Sequence, residues 1–273
     1  MGNRAVCPLY GALGGDLVGS IYEFWNIKTK EFELVADECC LTDDSTLTMA
    51  TADAILGGKA EYALYYHTWG NRHPNMGYGG RFLSWLQQPF EKAYDYGSWG
   101  NGAAMRVSPV GYAFDSVDTV LDQAELTART THGHPEGVRG AQATALAVFL
   151  ARHGKSKDEI QEEITRRFDY DLSTPLDVLR PDYEFDVSCQ GTVPVALRAF
   201  LQSWCYEDAI RNAVSVGGDS DTIAAITGGV ALAYYHEMPA RLVTAIEARL
   251  QEDMRIVCQE FAKKFPLTEG DNP

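Results

Sequence analysis

The sequence predicts an all-α protein, and three observations lead there. Apolar residues recur at helical spacing along most of the 273 residues. Capping residues open these stretches and glycines close them. Strand signals are few, the best being the short run "EFELVA" at 31–36.

The helices follow in order. "DDSTLTMATADAILGG" opens on capping residues and stops at Gly57-Gly58, which predicts about three turns. "AEYALYYHTWGN" reads as a second helix. "PEGVRGAQATALAVFLARHG" begins at Pro135, suited to a first helical turn, and ends at Gly154. "SKDEIQEEITRRF" has a serine cap, with Ile160 and Ile164 four residues apart. "VPVALRAFLQSW" and "YEDAIRNAVSV" form a close pair, and "DTIAAITGGVALAYYH" comes next. "PARLVTAIEARLQEDMRIVCQEFAKKF" reads as one long amphipathic helix. The less regular parts, 24–41, 71–111 and 168–191, are rich in Gly, aromatics or Asp, which suggests ordered loops able to carry binding residues. No stretch resembles a linker. The expectation is one domain over 1–273, with a core of about 10–265 and a mobile tail, "PLTEGDNP".

With 45% hydrophobic and 22% charged residues the chain has an ordinary globular composition. A net charge of −15 argues against sequence-independent binding to nucleic acid or anionic membrane, and suits divalent cations. The six cysteines, at 7, 39, 40, 189, 205 and 258, have no zinc-like spacing and read as free thiols of a reducing compartment. No apolar run of about 18 residues is present, and no signal pattern opens the chain. These readings point to a cytoplasmic protein.

Two segments share one pattern. "LTDDSTL" sets Thr42, Asp43, Asp44 and Ser45 at a helix start, and "GGDSDTI" sets Asp219, Ser220, Asp221 and Thr222 at another. Helix capping explains one carboxylate at each start. The second carboxylate, repeated in both, suggests oxygen ligands for hard cations such as Mg²⁺ or Mn²⁺. Four converging carboxylates repel unless cations lie between them, as in two-metal sites with ions about 3.5–4 Å apart.

Five blocks in order, "GALGGDLVGSIYEF", "TDDSTLTMA", "GSWGNGAAMRVSPVG", "THGHPEGVRGA" and "GGDSDTIAAITGG", resemble the ADP-ribosylglycohydrolases, the enzymes related to dinitrogenase reductase activating glycohydrolase. The resemblance runs from about Tyr10 to about Tyr235. It implies a compact orthogonal helical bundle holding two Mg²⁺ ions, with Mn²⁺ as the alternative. By position, the ligands would be Thr42, Asp43, Asp44, Asp219, Asp221 and Thr222. Ser45 stands where many members carry a second Thr. Glu23 would be the general acid/base or water-orienting residue, and Asp44 would also act in catalysis. Asp16 reads as a buried, hydrogen-bonded structural carboxylate.

The resemblance makes the glycine-rich loop Gly97, Ser98, Trp99, Gly100, Asn101 and Gly102 the cradle for diphosphate and ribose, with backbone amides toward the phosphates. Trp99 or a nearby Tyr would stack on adenine; a core role is the other reading of Trp99. His132 would lie beside the ribose and phosphates, and His134 would cap the helix at Pro135. Cys189 has no partner base in sequence, so no nucleophile is assigned. The expected activity is Mg²⁺-dependent release of ADP-ribose from a modified substrate. ADP-ribosyl-arginine on protein is the first choice. ADP-ribosyl-serine, O-acetyl-ADP-ribose and ADP-ribosylated nucleic acid are the rivals, with a non-catalytic ADP-ribose binder or a nucleotide phosphohydrolase beyond them.

Overall fold

The computed structural model describes residues 6–58 and 60–267. The expected mobile tail lies outside the described residues except for Pro266 and Leu267. The helices are α1 (Tyr10–Gly19), α2 (Asp43–Leu56), α3 (Tyr62–Arg72), α4 (Gly80–Leu86), α5 (Gly102–Met105), α6 (Ser108–Ala113), α7 (Val117–Ala128), α8 (Pro135–Arg152), α9 (Lys157–Phe168), α10 (Leu176–Leu179), α11 (Cys189–Leu201), α12 (Tyr206–Val216), α13 (Ser220–Tyr235), α14 (Ala240–Arg249) and α15 (Glu252–Lys264). The fold is all-α; among the described residues the β-pairing is a single antiparallel bridge, Gly100 to Ser188.

Helix α13 runs through the middle, packed by α1, α8, α11 and α12. It is buried from Ser220 to Ala233, as expected of a helix apolar on every side. The closest packing is with α1. A Cβ on Gly15 would lie 1.9 Å from the Ala224 carbonyl oxygen, and one on Gly19 would lie 2.4 Å from the Asp221 Cα. Glycines four residues apart therefore let the two backbones touch, and the last of them brings the end of α1 to the acidic start of α13. Gly15→Ala should push backbone against backbone. We expect a loss on the order of 1–3 kcal/mol or more, read as a fall in the urea midpoint at unchanged slope.

Three expectations need correction. "EFELVA" forms no strand: Arg211 Nη1 donates to the Lys30 and Phe32 carbonyls, at 2.9 and 2.8 Å, which a ladder would have used. The long terminal helix is two, broken where Leu250 and Gln251 turn extended. Leu250 is buried there, and Glu252 and Asp253 open a new helix at its positive end. The region 71–111, expected to be irregular, holds the short helices α4, α5 and α6. The region 168–191, also expected to be irregular, holds the one-turn helix α10, and the sequence pattern does not mark α1 or α7. All six cysteines are free thiols. No helix among the described residues is long and apolar enough to cross a membrane.

Candidate functional site

The starts of α2 and α13 meet, although 178 residues separate Asp44 from Thr222, whose hydroxyl donates to Asp44 Oδ2 at 3.3 Å. What caps these helices decides what the extra aspartates are free to do. At α2 the Thr42 hydroxyl accepts from the Asp44 amide at 3.3 Å. Asp16, reaching over from α1, accepts from the Thr42 amide at 2.9 Å, the Thr42 hydroxyl at 2.7 Å, the Ser45 amide at 3.2 Å and the Ser45 hydroxyl. Asp43 and Asp44 are left out of the capping. At α13, Asp219 holds the N-cap position but makes no side-chain cap bond; its Oδ2 accepts from Asn101 Nδ2 at 2.7 Å. Asp221 Oδ1 accepts the first-turn amide of Thr222 at 2.9 Å. Capping therefore uses one of the four acids and does not account for the other three.

The glycine contact between α1 and α13 delivers the third side of the site. Just past α1, Glu23 puts a carboxylate oxygen within 4.8 Å of oxygens from Asp219 and Asp221. Burial, with Asp16, Asp219 and Glu23 nearby, pushes Asp43 up to about 8. Burial first, then neighbouring carboxylates, holds Asp44 and Asp221 well above the usual range. Glu23 is raised to about 7 by burial, then by Asp219 and Asp16. Asp16 rises to about 6 by burial, against four hydrogen bonds that lower it. The charged groups facing Asp43, Asp44 and Asp221 are all acidic, and Asp44 Oδ1 is buried without a hydrogen-bond partner. An anionic, oxygen-only donor set with an orphaned acceptor fits hard divalent cations.

Glu23, Asp43, Asp44, Asp219 and Asp221, but not the fully buried Asp16, line a cleft of about 370 Å³, within the range of small-molecule sites. Its wall includes Ser98, Gly100, Asn101, Gly102 and His132 from the expected ligand-binding set; Gly97 and Trp99 do not line it. Trp99 is 46% exposed, which excludes the core role. The loop's amides are mostly spent internally. Gly97 donates to Asp95, Ser98 to the Thr131 carbonyl, Gly100 to the Ser98 hydroxyl and Asn101 to the Val187 carbonyl. The cradle is thus a braced wall, narrower in its offer of free amides than the glycines suggest.

His132 is buried, with Nδ1 and Thr131 Oγ1 2.8 Å apart. Burial, reinforced by Arg106 and Arg81, keeps its pKa well below the usual value, so the ring is neutral. His134 caps α8, its Nδ1 accepting from the Glu136 amide at 3.1 Å. Burial pushes Cys189 up to about 12, and its thiol donates to the Gly100 carbonyl, so it is no nucleophile.

A model of the family described as ADP-ribosylglycohydrolase matches residues 2–270. The chain belongs to the ADP-ribosylglycohydrolase family. It is similar to the ADP-ribosylhydrolase ARH3 of Bos taurus, 27% identical over 304 residues, covering 83% of each chain. The ADP-ribosylarginine hydrolase Tri1 of Pseudomonas putida (strain GB-1) is 26% identical over 268 residues, covering 85% of this chain and 71% of Tri1. Among solved structures, an ADP-ribosylglycohydrolase-related protein complex superimposes with a TM-score of 0.73 at 25% identity, over 94% and 96% of the two chains.

Against that ADP-ribosylglycohydrolase background, sequence reasoning missed one site residue and part of the role of another. Asn101, expected in the ligand cradle, lines the cleft, and its side chain also donates to Asp219. Arg106, fully buried at the cleft wall, donates to the Thr127 carbonyl and the Thr130 and Thr131 hydroxyls, and stacks 4.0 Å over Tyr66. "GNGAAMR" carries both residues, with Arg106 directly after the last residue of α5; its partners lie in and beyond α7, so the segment by itself gives no signal for it.

Proposed function

We propose that the protein is a Mg²⁺-dependent ADP-ribosyl hydrolase, releasing ADP-ribose by cleavage at the ribose anomeric carbon. The observation that carries this reading is the meeting of Glu23, Asp219 and Asp221 beside Asp43 and Asp44 on the floor of a cleft. Thr42, Asp43, Asp44, Asp219, Asp221 and Thr222 would hold two Mg²⁺ ions, or Mn²⁺ in their place. Bound there, the ions would supply charge compensation and polarise the ribose hydroxyls.

The chain's own residues do the rest. Breaking a bond at an anomeric carbon develops oxocarbenium character and needs a proton moved on the leaving group or the attacking water. Glu23, with its pKa drawn to about 7, can hold or release that proton near neutral pH. Neutral His132 and the Ser98 and Gly102 wall would bind the diphosphate side without adding charge. A neighbouring open cleft of about 570 Å³ shares Gly80, Arg81 and Tyr96 with the first and extends the room for a long ligand. Trp99 and Tyr94, both exposed, offer rings for the adenine.

For the linkage we favour ADP-ribosyl-arginine on protein, because Tri1 is an ADP-ribosylarginine hydrolase. The net charge of −15 also suits a guanidinium-bearing substrate. The test is to incubate the protein with ADP-ribosyl-arginine and ADP-ribosyl-serine peptides, with Mg²⁺ and with EDTA. We expect ADP-ribose from the arginine peptide, and none with EDTA. Release from the serine peptide alone would replace the linkage; release from neither would sink the activity.

A further inference from the structure

We infer that Asn26 is a positioning residue for Glu23, clasping the loop that carries the glutamate to the turn that presents Asp219 and Asp221. The inference rests on the reading of Glu23 as the proton-transfer residue.

The loop after α1 is anchored at its flanks, where Ile21, Tyr22 and Ile27 pack against the core. Between them Phe24 and Trp25 are 77% and 81% exposed, so the apex beside Glu23 buries no apolar side chain. Polar contacts fix the apex, and Asn26 makes them on both sides. Its Nδ2 lies 2.6 Å from the Tyr22 carbonyl, 2.9 Å from the Glu23 carbonyl and 2.9 Å from the Gly218 carbonyl. Its Oδ1 accepts from the Gly218 amide at 2.7 Å. One amide group thus exchanges donor and acceptor with Gly218 while gripping the backbone of Glu23 itself.

The other half of the clasp is shaped for this. Gly217 and Gly218 both have φ of +76°, the left-handed region that favours glycine. A Cβ on Gly217 would lie 3.2 Å from Asn26 Oδ1 and 3.1 Å from Lys28 Nζ. Lys28 Nζ donates to the Val216 and Tyr183 carbonyls, each at 2.6 Å, tying down the far side of the same turn. The next residue is Asp219. Asn26 therefore joins the backbone of the proton-transfer residue to the backbone that carries two of the acids. Reacting groups misplaced by about 1 Å can cost about 10²-fold in rate, so this tie acts on turnover rather than on ligand capture.

The experiment is a double-mutant cycle of Asn26→Ala and Glu23→Gln, joined to hydrogen exchange on the metal-loaded protein. We expect Asn26→Ala to lower kcat by roughly 10- to 100-fold, with KM and ADP-ribose affinity within about threefold. In the Glu23→Gln background the same change should cost less than about twofold, because the group it positions is gone. A merely structural asparagine would cost the same factor in both backgrounds, and that result, or a kcat within about twofold of wild type, overturns the inference. Exchange of the 22–28 amides should rise at least about tenfold in Asn26→Ala, with α2 unchanged; unchanged exchange also overturns it. Wild-type protein releasing no ADP-ribose would refute the hydrolase reading, while the exchange experiment still judges the clasp.

Discussion

Glu23→Gln is expected to lower kcat by about 10²–10⁴-fold, the range of general acid–base catalysis, while ADP-ribose affinity stays within about threefold. The substitution keeps size and hydrogen-bonding reach but removes the titrating proton. It also removes one negative charge facing Asp219, so cation affinity should fall only modestly, with four aspartates still in place. Turnover kinetics with and without saturating Mg²⁺, beside calorimetric titration with ADP-ribose, separate these effects. A loss of turnover recovered by more Mg²⁺ would make Glu23 a ligand rather than the proton-transfer group. Unchanged turnover would leave the raised pKa of Glu23 without a role in the reaction.

How far the site was legible depends on how far apart its parts lie in sequence. The acid pairs stand out locally, because two carboxylates at a helix start exceed what capping needs. Which groups cap instead was only half visible. Thr42 could be read in place, but Asp16 caps α2 from another helix, 26 residues earlier. Helix α1 escaped notice because its glycines oppose helix formation on their own; contact with α13 repays that, and no single-segment signal records it. The break at Leu250 has the same origin, since burial of one leucine outweighs a continuous helical pattern. Asn26 and Arg106 were illegible for a related reason. Their meaning lies in partners such as Gly218, 192 residues away, and Thr127, 21 residues away in another helix.

Without a cation, the protein is expected to lose stability as pH rises from about 5 to 8, the reverse of the behaviour of salt-bridged carboxylates. Asp16, Asp43, Asp44 and Asp221 all have folded-state pKa values above the ordinary aspartate value, with Asp16 near 6 and Asp43 near 8. Between those values and the unfolded value of about 4, the folded state binds more protons than the unfolded chain. The derivative of unfolding free energy with pH is then negative. The stabilising contribution is complete below about pH 4 and declines as pH passes the folded values. Mg²⁺ reverses the balance by binding the ionised cluster. At 100 times its Kd one bound ion adds about 2.7 kcal/mol, roughly 5–10 °C in Tm for a domain of this size. Scanning calorimetry in EDTA and in Mg²⁺ at pH 5.5 and 8 should therefore show a Mg²⁺-induced rise that is larger at pH 8. Asp221→Asn makes the sign specific. Asn keeps an oxygen for the Thr222 amide, which Asp221 Oδ1 accepts at 2.9 Å, yet removes one buried charge. The variant should be more stable than wild type in EDTA at pH 8, respond weakly to Mg²⁺ and turn over poorly. Lower stability than wild type in EDTA, with a full Mg²⁺ response, would mean that repulsion among these acids is not what the cation relieves.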